Sequence, residues 1–117
     1  MAVTGTIKQA RDNYRGLLIT ILGVTDSSSS PNFRAQGVMA YGSYTAQGTF
    51  GSTPTTGLYG SNDGGTTWFV VGSTFTAAQA GALIGANGEI FQLYQFQTSG
   101  GSGSSLNFYV YLASAFG

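Results

Sequence analysis

Apolar and polar residues alternate with a period of two along much of this chain, the spacing of strands that pack one face and leave the other wet. Residues 106–112 give the clearest case, with Leu106, Phe108, Val110 and Leu112 on one side and Asn107, Tyr109 and Tyr111 on the other. Residues 43–50 repeat the pattern, setting Tyr44, Ala46, Gly48 and Phe50 against Ser43, Thr45, Gln47 and Thr49. Residues 17–24, LLITILGV, form a short β-branched apolar run closed by the turn signal TDSSSSPN. Its length favours a strand buried on both faces, or nearly so, over a buried helix.

The remaining segments predict further strands and the turns between them. Residues 55–72 read as a hairpin, and residues 89–98 and 106–113, joined by the Gly/Ser-rich stretch 99–105, as a closing hairpin. Only residues 75–88 have helical colour, and their internal Gly81 and Gly85 favour a short helix or turn crossing between sheets. Residues 1–16 show no sustained alternation and hold most of the charge, which predicts an extended N-terminal arm. The expected fold is all-β: one antiparallel β-sandwich domain over residues 17–117, immunoglobulin-like or jelly-roll, preceded by the arm 1–16.

Composition agrees with that class and narrows the chemistry. The 117 residues make one ordinary domain, and 19 glycines, 7 tyrosines and 8 phenylalanines suit turns and aromatic strands rather than long helices. With no histidine and no cysteine, the usual nucleophilic triads, thiol chemistry and zinc sites lack their parts. The acids Asp12, Asp26, Asp63 and Glu89 are scattered, so neither a facing carboxylate pair nor a calcium site is expected. No enzyme activity, metal or cofactor is therefore predicted. The four basic residues all precede position 35, opposed there by two acids, and the remainder carries a net −2. That asymmetry is too small for a nucleic-acid face. The apolar run 17–24 is too short to span a bilayer, so a soluble chain without a signal segment and without a membrane partner is expected.

One motif stands out in the predicted hairpin. Residues 60–72, GSNDGGTTWFVVG, match the Asp-box pattern Ser-x-Asp-x-Gly-x-Thr-Trp through Ser61, Asp63, Gly65, Thr67 and Trp68. The stretch resembles the Asp-box of sialidases, where the motif recurs once per propeller blade on a turn away from the active site. This chain is too short for such a propeller, and its three arginines, Arg11, Arg15 and Arg34, lie in or near the arm. The residues themselves predict a structural turn. Asn62 and Asp63 can accept backbone hydrogen bonds, Gly64 and Gly65 tolerate positive φ, and Trp68 is expected to pack in the core beside the hairpin.

A second resemblance covers more of the chain. Residues 48–78, GTFGSTPTTGLYGSNDGGTTWFVVGSTFTAA, and more loosely residues 89–113, are similar to small β-sandwich structural proteins of tailed bacteriophages, many of them head decoration or cement proteins. The resemblance implies a virion component on the capsid surface, made in the host cytoplasm, that stabilises the head by bridging capsomers. The implied partners are the major capsid protein and further copies of the chain, as a homotrimer. Lys8, Arg11, Tyr14 and Arg15 of the arm and Tyr109 and Tyr111 of the last strand are the candidate contacts, since tyrosine offers wide contact area at low entropy cost. Two alternatives stand beside it. One is a carbohydrate- or receptor-binding β-sandwich of a tail fibre, with Trp68, Tyr109 or Tyr111 as sugar platforms; the other is a tail or baseplate component.

Overall fold

Residue alternation becomes strand pairing in the computed structural model, which describes residues 2–11, 16–34, 39–80 and 91–114. These residues form no helix. In chain order the strands are β1 (Ala2–Val3), β2 (Thr6–Arg11), β3 (Gly16–Val24), β4 (Ser28–Ser29) and β5 (Met39–Thr49). There follow β6 (Thr55–Ser61), β7 (Phe69–Val70), β8 (Gln79–Ala80), β9 (Leu93–Ser99) and β10 (Ser105–Ser114). They build two five-stranded sheets, ordered β1-β4-β9-β6-β7 and β2-β3-β10-β5-β8 among the described residues. All pairs are antiparallel except β1 with β4. The expected antiparallel sandwich is the observed architecture.

The core lies where the inward faces of the two central strands meet. β10 presents Leu106, Phe108, Val110 and Leu112, all buried, and β9 presents Tyr94, Phe96 and Thr98. The rings of Phe96 and Phe108 stack across the sandwich with centroids 4.0 Å apart and planes 9° from parallel. Tyr44 of β5 meets Phe96 edge-on at 5.0 Å, and Phe33 stacks on both Tyr94 and Phe96. Ile19, Ile21 and Val24 from β3 and Leu58 from β6 close the rest of this aromatic cluster.

Three expectations are corrected. Residues 17–24 are not buried on both faces, because no layer covers the outer side of their sheet. Leu17, Ile19, Ile21 and Val24 point inward while Leu18 and Leu22 are 41% and 42% exposed. The last two strands do not form a hairpin either. β9 pairs with β4 and β6, β10 pairs with β3 and β5, and residues 100–104 carry the chain from one sheet to the other. Each segment has an inward face dominated by aromatic or aliphatic side chains, so each takes a central position in its own sheet. The crossing is fastened to its surroundings by bonds from Ser52 N to Ser102 O, from Gly51 N to Ser104 Oγ and from Ser104 N to Asp26 Oδ2.

The third correction concerns the arm. Residues 2–3 pair with β4 in one sheet and residues 6–11 pair with β3 in the other, so this segment supplies an edge strand to each. Gly5, at φ +83°, turns the chain between them. Thr4 locks the turn: its hydroxyl lies 2.6 Å from Ser28 Oγ and accepts from Thr25 N at 3.0 Å. The boundary at residue 16 therefore does not separate an arm from a domain over the described residues. Tyr14 and Arg15 lie outside them, as does most of the 75–88 segment. Within its described part, Phe75 bridges to Thr56 and β8 pairs with β5.

Removing the ring of Phe108 deletes one half of the inter-sheet stack. Phe108→Ala is expected to lower unfolding free energy by about 3–5 kcal/mol, read from urea denaturation midpoints. A loss under about 1 kcal/mol would show that the stack does not hold the sheets together.

Candidate functional site

The motif loop of residues 62–68, between β6 and β7, is built on one buried hydroxyl. Ser61 Oγ donates to Asp63 Oδ1 at 2.8 Å and accepts from Gly65 N at 3.0 Å and Asp63 N at 3.4 Å. Asp63 Oδ1 also accepts from Thr67 N at 2.9 Å and Thr66 N at 3.1 Å. These donors stabilise the anion. The Thr67 N–H, then the Ser61 and Thr67 hydroxyls, lower the Asp63 pKa from the ordinary 3.8 to about 2. Gly64 and Gly65 sit at φ +77° and +98°, so the loop needs glycine at the motif's Gly65 and also at Gly64 beside it.

The loop is tied to its neighbours as well as to itself. Gln92, just before β9, accepts from Gly64 N at 2.9 Å through Oε1, and its own N–H donates to Asn62 Oδ1 at 2.8 Å. Trp68 Nε1 donates to Gly65 O at 2.9 Å, which sets the indole against the loop. Trp68 is half-buried and lies outside the sandwich core, so the expected core packing is corrected. The hydrophobic strand after it is only two residues long, and the indole is turned to the outer surface of the β1-β4-β9-β6-β7 sheet instead.

There it walls a groove of about 360 Å³. The register sets the floor: Val3 pairs with Ser29 and Ser29 with Gln97, so these three share one outward row, and Gln95 stands two residues along on the same face. Gln95, Gln97 and Ser29 form the floor, Val3 and Asn32 one side, and Trp68 with Gly65 and Thr66 the other. Among the described residues no charged side chain lines it.

The opposite surface, the outer face of β2-β3-β10-β5, gathers a different set. Pairing aligns Lys8, Thr20, Tyr109 and Thr45 in one row. Ala10, Leu18, Tyr111 and Ser43 form the row on one side of it, and Thr6, Leu22, Asn107 and Gln47 the row on the other. Tyr111 lies along the sheet rather than away from it, because its ring occupies the space a Cβ at Gly16 would take. Lys8, Tyr109 and Tyr111 thus share one face. Arg11 ends β2, paired with Leu17, and Tyr14 and Arg15 lie outside the described residues.

Of the acids, Asp63 is committed to its loop, Asp26 receives Ser104 N, and Asp12 and Glu89 lie outside the described residues. No group of three metal-ligating side chains occurs among the described residues. Comparison of the chain with protein-family models, with curated proteins and with solved structures gives no match.

Sequence reasoning missed Leu18 and Leu22 as surface residues and Gln95, Gln97, Ser29 and Asn32 as groove residues. The alternation of 93–99 carried a signal for the glutamines, since it sets Gln95 and Gln97 on the face opposite Tyr94 and Phe96.

Two outcomes follow from the loop. The folded pKa of Asp63 is depressed, so its contribution is present above the unfolded value near 3.8 and is lost as pH falls through about 2. Asp63→Asn keeps an acceptor but cannot titrate. Its Tm is expected to fall less than that of the wild type between those two pH values, and equal slopes would contradict the assignment. Ser61→Ala leaves the Gly65 N–H without its acceptor and is expected to cost about 1–3 kcal/mol in denaturant unfolding.

Proposed function

We propose that the protein is a structural component of a tailed-bacteriophage virion, a capsid decoration protein that bridges capsomers. The observation that carries the reading is the outer face of β2-β3-β10-β5. Its three aligned rows hold one charge, Lys8, among threonines, amides, two tyrosines and two exposed leucines. Such a face loses little solvation of charge on being covered, and its tyrosines and leucines gain by it. The whole-chain composition, with 7% charged residues, points the same way, since a nearly uncharged surface suits an assembly better than a free monomer. The sequence resemblance over residues 48–78 supplies the virion context.

In this reading the face packs on the major capsid protein and on sister copies, as a homotrimer at local threefold junctions where one repeated interface serves several neighbours. Lys8 and the tyrosines contribute through the sheet, not through a free arm. Deleting residues 2–16 would take an edge strand from each sheet, so single substitutions on the face are the cleaner probe. The role is architectural and requires no catalytic group.

The test uses capsids stripped of the protein and then recombined with it. Wild-type protein is expected to rebind and to raise the temperature at which the capsids release their DNA. Leu18→Glu and Tyr109→Glu place a charge on the face at little cost to folding, and are expected to abolish rebinding. Equal rebinding by both variants would remove this face from the mechanism. A particle map that places the protein only in the tail would overturn the decoration role.

A further inference from the structure

The groove on the other sheet is not used by that reading, and its chemistry is specific. Gln95 is 6% exposed, yet its amide is not among the buried polar atoms that lack a partner, so the little surface it keeps opens on the groove. Neither its amide nor that of Gln97 is hydrogen-bonded among the described residues, although both line the groove. Side-chain amides offer a donor and an acceptor on one rigid plane, and here two of them stand side by side with Ser29 and Asn32. Trp68 supplies the other half. Its N–H is spent on Gly65 O, so the indole turns carbon surface toward the groove, held in place by the loop that Ser61 and Asp63 organise.

We propose that this groove binds an uncharged saccharide. A sugar ring carries hydroxyls that both donate and accept, together with a face of C–H groups that packs on an aromatic ring. Paired amides beside a fixed indole meet both requirements. The competing ligands fit less well. A nucleotide or an anionic sugar such as sialic acid needs a cation, and none lines the groove among the described residues. A purely apolar ligand would leave the Gln95 amide buried without a partner. The proposal is independent of the virion reading, since it concerns the isolated protein and the opposite face.

Trp68 is the only tryptophan in the chain, so emission excited at the red edge, where the seven tyrosines do not absorb, reports on the groove. The full chain is titrated with cellotetraose, maltotetraose, mannotetraose and chitotetraose, with sialyllactose as the charged comparison. At least one neutral sugar is expected to give a saturable emission change with a midpoint below about 10 mM. Gln97→Ala is expected to weaken it by about tenfold or more. Trp68→Ala, followed by saturation-transfer NMR, is expected to lose binding, and thermal melts confirm that both variants remain folded. Asn32→Ala on the exposed rim is the second probe if either variant unfolds. Silence from all four neutral sugars, binding of sialyllactose alone, or full affinity in the folded variants would overturn the proposal.

Discussion

The contact between Phe96 and Phe108 decides the rest of this structure. The two residues belong to consecutive strands, yet the crossing at residues 100–104 puts one in the middle of each sheet and brings their rings face to face. A hairpin would have left both on one sheet with the opposing layer to be filled from elsewhere. With no disulfide to restrain the chain, the sheets are held by this aromatic layer and by the aliphatic residues around it. The glycine-rich crossing is the sequence feature that allows it, since Gly100, Gly101 and Gly103 all take positive φ.

Fixing the two inner faces also fixes the two outer ones, because β9 and β10 alternate with a period of two around these rings. The residues between Phe108 and its inward neighbours, Asn107 and Tyr109, face away from β9, and those beside Phe96, Gln95 and Gln97, face away from β10. The outer surfaces then differ by what lies over them. One is a flat display of hydroxyls, amides and exposed leucines. The other is partly covered by the motif loop, which turns an ordinary polar strand face into a groove. The loop is held by the chain's own bonds to Asp63 and Ser61, so the Trp68 wall of the groove is in place without a ligand.

What the sequence made legible was the facing of residues, not their partners. The split of Leu106, Phe108, Val110 and Leu112 from Asn107, Tyr109 and Tyr111 was readable because alternation records burial directly. The same pattern does not say which strand lies alongside, and so 89–98 and 106–113 looked like a hairpin. A run as apolar as 17–24, interrupted only by Thr20 and Gly23, implies two covers, and the molecule provides one, so Leu18 and Leu22 stand exposed. The N-terminal strands escaped notice because edge strands are wet on most sides and carry little apolar signal, as the exposed β2 illustrates. The motif residues were readable as a turn from their chemistry, but the groove depends on where the loop folds relative to Gln95, which no local pattern encodes.

Under the proposed function the two outer faces have different fates: one is covered in an assembly, the other open. Hydroxyl-radical footprinting of the protein, free and in the proposed virion particle, measures both at once on the same side chains. Leu18, Leu22, Tyr109 and Tyr111 are expected to be oxidised in the free protein and protected in the particle, while Trp68 reacts equally in both. Protection of Trp68 with undiminished oxidation of Leu18 and Tyr109 would contradict the proposed function.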